Sequence, residues 1–274
     1  MSELQDALLA GNVPKRAALV TLDDNYKQHL SVVLPILEDM QIPATVFISS
    51  GYVDSKQEYF WDELERLILS SDSLPSAIEL EHDEGKTLWQ INGQGPVKID
   101  WLDLKSPFEP RQKAYWDLLS ILAKMNKDGW ERSMKSLREQ VSADGIARET
   151  HRLLTKDELI ELAGSKWIEI GSHTCNHVLL AENSEQTQKY EIVQDKVNLE
   201  KLLKQPITSL SYPYGGPDDI GDKAVEIAKQ AGHKIAFTTD WLSIRRDYDI
   251  FRLPRLLIDD WNGDEFRKSI HFWK

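Results

Sequence analysis

Short apolar runs recur along the chain and predict buried strands. Most of their residues are β-branched or aromatic, and several runs end in polar side chains. We predict strands over Ala17–Thr21, Ala44–Ser49, Trp167–His173, Ser209–Tyr212, Lys234–Thr239 and Phe251–Ile258. Because helical patterns separate most of these runs, the chain predicts an α/β fold with a parallel sheet or barrel joined by helical crossovers.

Several helix boundaries follow from local signals. Thr155 and Glu158 have the capping-box spacing at the start of one helix. Ser184 begins a longer polar helix. The stripe along that helix comprises Tyr190, Val193 and Val197. Asp222 caps a third helix, and Gly232 can end it because glycine readily adopts the left-handed conformation after a helix.

The segment from about 59 to 150 interrupts this alternation. Apolar residues recur at helical spacing in Phe60–Ile68 and Tyr115–Met125, and a hairpin pattern surrounds Asp83–Lys86. We therefore predict a single domain over residues 1–274, with an α+β insertion at about 59–150.

Composition limits the class of protein. A length of 274 residues suits one α/β barrel or two modest domains. The formal charge of −12 argues against broad binding of nucleic acid or anionic membranes, because both need basic surfaces. The single cysteine, Cys175, excludes an intramolecular disulfide. We see neither a signal-peptide pattern nor a run of about 18 apolar residues, so we expect a cytoplasmic protein without a membrane span.

Two adjacent aspartates, Asp23 and Asp24, follow the first predicted strand. Sites in parallel α/β folds lie at the carboxyl ends of the strands. Adjacent side chains leave a strand in different directions, so one carboxylate could bind a metal while the other acts as a base. A solvated turn explains the same pair, since other aspartate pairs occur at residues 218–219 and 259–260.

His173 and His177 follow another predicted strand, with three residues between them. In a helical turn both imidazoles would lie on one face, and neutral imidazole suits zinc and other divalent metals. Chance spacing is the alternative. Thr174 stands where the zinc peptidase motif has glutamate, which argues against a peptidase. Cys175 would point away from this face, so we predict a buried structural thiol.

A third candidate is the loop 211–216, which contains Pro213, Tyr214 and two glycines after a predicted strand. A tight loop of this kind frees backbone N–H groups, and one of them could stabilise an oxyanion. Taken alone, the motif is typical of an ordinary turn.

In this order the motifs T-x-D-D, H-[ST]-x-x-H and P-Y-G resemble the polysaccharide deacetylases, also called the NodB-homology or carbohydrate esterase family 4. The resemblance covers about residues 14–55 and 150–258. It implies a distorted (β/α)7 barrel that removes acetyl groups from sugars with a divalent metal, zinc being the first expectation. Phe60–Leu64 and Phe251–Arg255 resemble a branch that acts in cell-surface glycan biosynthesis, such as that of O-antigen or exopolysaccharide.

The resemblance also implies roles for individual residues. It makes Asp23 the general base, and it places the backbone N–H of Tyr214 at the oxyanion. The implied metal ligands are Asp24, His173 and His177. Pro213 and Trp61 are candidates for orienting or binding a substrate, which would be an N-acetylated sugar, a nucleotide sugar or a glycan. An indole such as that of Trp61 can stack on a sugar ring, although filling a core is the alternative.

The chain departs from the family at the residue that holds the catalytic aspartate. Ser211 stands where many members have an arginine, so Arg255 and Arg252 are candidates to replace it. A phosphate-bearing nucleotide sugar would also need a basic patch in this acidic chain, for which Arg245 and Arg246 are further candidates.

A second departure concerns the general acid. The family usually has a Leu-x-His near the last strand, and this chain has no histidine there. His29 is expected to point away, and His82 or His151 could approach the cleft, so the acid stays unassigned. A weak or inactive glycan-binding member of the fold is the alternative function. A non-haem iron oxygenase is less consistent, because the H-x-[DE] pair is absent.

Overall fold

The computed structural model describes residues 1–12, 17–82, 85–93, 95–98, 109–245, 248–258 and 261–271. Asp83, Glu84, Trp101, Arg246 and the pair Asp259-Asp260 lie outside the described residues. The contacts divide the chain into two compact units. The first unit comprises Met1–Asn25, His29–Gly51 and Ile160–Lys274, and the second comprises Tyr26–Gln28 and Tyr52–Leu159.

The strands of the described residues are β1 (Val20–Asp23), β2 (Ala44–Ile48), β3 (Ala77–His82), β4 (Gly85–Gln90), β5 (Ile168–Ser172), β6 (Ser209–Ser211) and β7 (Ile235–Phe237). The α-helices are α1 (Ser2–Leu9), α2 (Leu34–Met40), α3 (Phe60–Ile68), α4 (Pro110–Ala123), α5 (Lys127–Val141), α6 (Lys156–Gly164), α7 (Glu185–Lys189), α8 (Asp195–Leu203), α9 (Pro217–Gln230) and α10 (Gly263–His271). Two π-helical turns, His29–Val33 and Tyr190–Gln194, precede α2 and α8.

The first unit is built on a curled parallel sheet with the strand order β1-β2-β5-β6-β7. Every residue of β2 is buried, as expected for a strand of a parallel sheet with a neighbouring strand on each side. The register pairs Asp23 with Phe47 and Ile48 with Ser172, so the carboxyl ends of β1, β2 and β5 lie side by side. The predicted parallel α/β fold class is confirmed.

Five predicted strands form with shifted ends, and the sixth, Phe251–Ile258, shrinks to one parallel bridge between Phe237 and Leu253. Pro254 has no N–H with which to continue a ladder. The backbone N–H of Arg255 donates instead to the carbonyl of Asp240 at 3.1 Å. The first strand also lies later than predicted, over Val20–Asp23.

Two helix starts are confirmed. Glu158 N lies 3.3 Å from Thr155 Oγ1, and Thr155 N donates to Glu158 Oε2 at 2.9 Å. The hydroxyl of Ser184 accepts from the backbone N–H of Thr187. The helix α9 begins earlier, at Pro217, but Gly221 interrupts it with the non-helical angles φ 72° and ψ 154°, so the part that follows starts at about Asp222 as predicted. Gly232, with a φ of 83°, follows the end of this helix, as also predicted.

The predicted stripe on the helix after Ser184 coincides only in part with its buried face. Val193 packs against the core, but Tyr190 and Val197 are 56% and 47% exposed, whereas Glu191, Ile192 and Asp195 are buried. The π-helical turn takes more residues than an α-helical turn, so it rotates the face that follows it.

In the second unit, α3, α4 and α5 pack with the antiparallel hairpin β3–β4 around a core of its own. The predicted helices and hairpin of this segment are therefore present. Trp61, Trp89, Trp116 and Trp130 belong to this core or pack against it. The organisation as one domain with an insertion stays a prediction. No helix in the described part of the chain is long and apolar enough to cross a bilayer.

Candidate metal centre and active site

Three side chains from two strand ends converge in the first unit. Asp24 follows β1, and His173 and His177 follow β5. Oδ1 of Asp24 lies 3.7 Å from Nε2 of His177 and 4.0 Å from Nε2 of His173. The three ligand atoms all lie within 4.8 Å of one another. Two imidazole nitrogens and one carboxylate oxygen suit a divalent cation, and such a set leaves coordination positions open.

The segment between the histidines is a loop and not a helical turn. Thr174 and His177 have φ angles of 64° and 52°, and their left-handed backbone helps to bring the two imidazoles together. The ring centroids are 4.8 Å apart in an edge-on arrangement. Asp24 and Tyr214 also have positive φ angles, of 75° and 61°. Strained backbone at several positions around one site is typical of functional sites, where surrounding contacts hold the geometry.

The histidines are held in the form that binds a metal. Nδ1 of His173 lies 2.7 Å from the carbonyl oxygen of Ser211. A carbonyl only accepts, so Nδ1 carries the proton and leaves Nε2 to face Asp24. Burial lowers the pKa of His173, and burial together with the neighbouring His173 lowers the pKa of His177 well below 6.5. Both imidazoles are therefore neutral near neutral pH, as metal ligation requires.

Asp23 lies beside this triad and pairs with Arg255. Both guanidinium–carboxylate distances, Nη1–Oδ1 and Nη2–Oδ2, are 2.7 Å. Ser211 Oγ accepts from Nη2 of Arg255 at 2.7 Å and donates to Oδ2 of Asp23 at 3.2 Å. Burial alone would raise the pKa of Asp23, but the charge of Arg255 and the hydrogen bonds from Arg255 and Ser211 outweigh it. They hold the pKa of Asp23 well below its usual range, so this carboxylate is ionised.

Of the two candidate arginines, only Arg255 contacts Asp23. Arg252 pairs with Asp222 at 2.6 Å. His29 does not point away as expected, because its Nε2 lies 3.0 Å from the backbone carbonyl of Asp23. That contact involves the backbone of Asp23, whereas the carboxylate of Asp23 is bound by Arg255.

The P-Y-G loop follows β6. The carbonyl of Pro213 accepts from Gly215 N at 2.6 Å, which makes the turn tight. The ring of Tyr214 packs edge-on against His177 with centroids 5.0 Å apart. Cys175 is buried, as predicted, and is not one of the three grouped ligands.

Other predicted residues belong to the second unit. Trp61 Nε1 donates to the hydroxyl of Tyr26 at 3.0 Å, and its ring stacks on Tyr59. His82 lies 2.8 Å from Thr87 Oγ1, and His151 Nδ1 lies 2.9 Å from Thr150 Oγ1. The sugar-binding role of Trp61 stays a prediction.

Polar residues behind the ligand loops match no motif and were not predicted from the sequence. Asn25 and Ser49 exchange two hydrogen bonds of 2.8 Å, and Ser49 Oγ donates to the carbonyl of His173 at 2.9 Å. These contacts connect the aspartate pair to the histidine loop. Glu191 and Asp195 support the same loop from the other side. One signal in the sequence could have revealed them. The apolar residues Ile192 and Leu199 are seven residues apart, and both acids lie on the helical face that these two residues bury.

Trp241 was also missed. Its ring is 58% exposed, and its Nε1 donates to the carbonyl of Leu257 at 3.2 Å. Two residues earlier, Thr239 Oγ1 donates to the carbonyl of Tyr214 at 2.7 Å. An exposed indole therefore lies on a loop that is bonded to the P-Y-G loop.

Comparison with known proteins agrees with these motifs. The family profile described as polysaccharide deacetylase matches residues 10–85 and 121–236, which is more than half of the chain. The fold is similar to that of the Streptococcus pyogenes deacetylase PplD in complex with acetate, with a TM-score of 0.57 and 16% identity over 98% of this chain and 76% of that chain. It is also similar to IcaB from Ammonifex degensii, with a TM-score of 0.56 and 15% identity over 99% of this chain and 79% of that chain.

A curated relative shares a shorter segment. YxkH of Bacillus subtilis (strain 168) is 28% identical over 105 residues, which are 38% of this chain and 36% of that protein. The matched segment thus spans little more than a third of the relative.

Proposed function

The chain belongs to the polysaccharide deacetylase family, and we propose that it is a metal-dependent hydrolase that removes the acetyl group of an N-acetylated sugar or glycan precursor. The observation that carries this proposal is the convergence of Asp24, His173 and His177 beside an ionised Asp23. Such a hydrolysis needs a metal bound by neutral nitrogen ligands and one carboxylate. It also needs a second carboxylate that is free to act as a base, and Arg255 holds Asp23 apart from the ligands for this role.

In this proposal Asp24, His173 and His177 hold the cation, which when bound supplies the charge that polarises an acetyl carbonyl and acidifies water. Asp23 accepts a proton from the attacking water, because it is ionised and lies next to the ligands. Arg255 and Ser211 keep its carboxylate in one orientation. The backbone N–H of Tyr214 donates to the oxyanion that develops on the former carbonyl oxygen. When the C–N bond breaks, the leaving nitrogen takes up the proton that Asp23 accepted, so the products are acetate and the free amine of the sugar.

We further propose a glycan substrate in cell-surface polysaccharide biosynthesis rather than a nucleotide sugar. Arg252 and Arg255 are already paired with Asp222 and Asp23. Of the two further candidates for a basic patch, Arg245 is exposed and Arg246 lies outside the described residues. Trp241 presents an exposed indole whose ring orientation is held by a hydrogen bond. Indole faces stack on the apolar faces of sugar rings, which favours a carbohydrate chain.

The test measures acetate release and metal content together. The protein, loaded with zinc, is incubated with N-acetylglucosamine oligomers or with UDP-N-acetylglucosamine. We expect acetate release from the oligomers, no release by the Asp23→Asn variant, and retention of zinc in that variant. The His173→Ala variant should lose both zinc and activity.

The Arg252→Ala variant is the control, because its guanidinium pairs with Asp222 and not with Asp23, and it should keep full activity. Zinc binding without acetate release from any N-acetylated sugar would instead support a non-catalytic glycan-binding member of the fold. Full activity of the Asp23→Asn variant would remove Asp23 from the proposed mechanism.

A further inference from the structure

The helical segment that follows the histidine loop directs two carboxylates back at that loop. Glu191 lies in the π-helical turn Tyr190–Gln194, and Asp195 is the first residue of α8. Asp195 is completely buried, and Glu191 is 2% exposed. Buried carboxylates are costly unless several donors satisfy them, so their partners indicate what they are for.

Asp195 joins the ends of two strands. Its Oδ1 accepts from the backbone N–H of Ser50, which follows β2, at 2.7 Å. Its Oδ2 accepts from the hydroxyl of Ser172, the last residue of β5, and at 3.2 Å from the backbone N–H of His173, which also donates to the carbonyl of Ile48 at 2.9 Å. One carboxylate therefore sets the position of the first histidine against the neighbouring strand end.

Glu191 supports the other end of the loop in the same way. Its Oε2 accepts from the backbone N–H of Asn176 at 2.7 Å, and its Oε1 accepts from the side-chain amide of Asn176 at 2.8 Å. The carbonyl of Glu191 accepts from Cys175 N at 3.1 Å. Asn176 directly precedes His177, so Glu191 supports the residue that leads into the second histidine.

The two spacings match. Glu191 and Asp195 are four residues apart on one buried helical face, and His173 and His177 are four residues apart on the loop that this face contacts. The loop needs such support, because Thr174 and His177 have the left-handed backbone that non-glycine residues rarely adopt.

We propose that Asp195 and Glu191 are positioning residues that hold His173 and His177 at the separation a divalent cation requires, and so set the affinity of the site. They act through the backbone of the loop and touch neither a cation nor a substrate. This inference rests on the proposed metal site, and it assigns that site a second layer of carboxylates.

The contacts predict that the two acids respond differently to amide substitution. In Asp195 both oxygens accept from backbone N–H groups, so the Asp195→Asn variant must turn its NH₂ group toward one of them. If it keeps the bond from Ser50, the NH₂ group can donate to the hydroxyl of Ser172, but the N–H of His173 loses this acceptor and keeps only its bond to Ile48. One oxygen of Glu191 accepts from the side-chain amide of Asn176. That amide can rotate by half a turn and then accept a hydrogen bond instead of donating one. The Glu191→Gln variant can therefore keep both hydrogen bonds.

The experiment measures zinc affinity and the visible spectrum of the Co²⁺-substituted protein, because that spectrum reports ligand geometry. We expect the Asp195→Asn variant to bind zinc about tenfold more weakly with a shifted Co²⁺ spectrum, as for outer-layer substitutions at metal sites. The Glu191→Gln variant should keep the wild-type spectrum. The matched control is Glu63→Gln, which changes a buried carboxylate of the second unit that bonds to Arg138. It should lower the melting temperature and leave zinc affinity unchanged.

The outcomes separate this inference from the proposed function. Wild-type zinc affinity and spectrum in the Asp195→Asn variant would overturn the positioning role, provided that His173→Ala abolishes binding. Wild-type binding in His173→Ala would instead overturn the proposed metal site. If Asp195→Asn does not fold, Ser172→Ala removes one of the same hydrogen bonds and should shift the Co²⁺ spectrum. An unchanged spectrum in that variant would also overturn the positioning role.

Discussion

The backbone of Gly51 lies directly against that of Cys175. Gly51 N donates to the carbonyl of Cys175 at 2.8 Å, and a Cβ atom on Gly51 would lie 2.5 Å from the same oxygen. It would also lie 2.6 Å from Oδ1 of Asn176. Glycine is therefore required here for close approach of two backbones, and this approach brings the residues after β2 against the histidine loop.

Gly51→Ala should displace the histidine loop and weaken zinc binding about tenfold, while overpacking lowers the free energy of unfolding by about 1–3 kcal/mol. Zinc titration and urea unfolding measure the two effects. Gly164→Ala is the matched control, because a Cβ atom there meets nothing within 4 Å. Equal zinc affinity in the two variants would contradict the account of Gly51.

Arg255→Gln should make activity more sensitive to acid. Burial raises the pKa of Asp23, and the charge of Arg255 is the largest opposing effect. Without that charge the pKa of Asp23 rises, and a general base works only when it is ionised. We expect the acid limb of kcat/KM to move to higher pH, measured by acetate release between pH 4 and pH 8.

The Arg255→Lys variant separates charge from geometry. Lysine keeps the positive charge but cannot bind both carboxylate oxygens as the guanidinium does. We expect kcat to fall by up to about a hundredfold from misorientation of Asp23, with the acid limb unmoved. An acid limb that shifts equally in the lysine and glutamine variants would show that charge is not what sets the pKa of Asp23.

Tyr214→Phe should leave kcat within about twofold of the wild type, because the buried hydroxyl makes no hydrogen bond within the described residues. The proposed role of Tyr214 belongs to its backbone N–H, which the substitution keeps. Steady-state acetate release tests this expectation. A loss of a hundredfold or more would assign the role to the hydroxyl instead.

His233→Leu should remove part of the acid sensitivity of folding. Burial, together with the charge of nearby Lys196, lowers the pKa of His233 to about 3, whereas the unfolded side chain titrates near 6.5. Unfolding therefore takes up a proton between these values, so stability is full above 6.5 and falls as the pH drops toward 3. Urea unfolding with a chelator present gives the free energy of unfolding at each pH. Between pH 3 and pH 6.5 this free energy should change by about 1.4 kcal/mol per pH unit less in the variant than in the wild type. If the free energy of unfolding changed equally with pH in the wild type and the variant, His233 would not be a buried neutral side chain.

Local patterns identified most of the elements and the residues that converge. Strand-end motifs named Asp23, Asp24, His173 and His177 because parallel strands bring their carboxyl ends to one edge of a sheet. The capping box at Thr155 and the helix start at Ser184 depend on neighbours along the chain, so they could be predicted. The buried face of the helix after Ser184 could not be predicted, because a π-helical turn rotates the residues that follow it.

The sequence by itself determined the α/β class, the motif residues and their place at strand ends, since periodicity and spacing are local properties. Only the tertiary structure decided that Arg255, and not Arg252, pairs with Asp23, because 232 residues separate the pair along the chain. It alone showed that the histidine segment is a left-handed loop held by Glu191 and Asp195. Such contacts depend on where distant backbones meet, and no spacing along the chain encodes that.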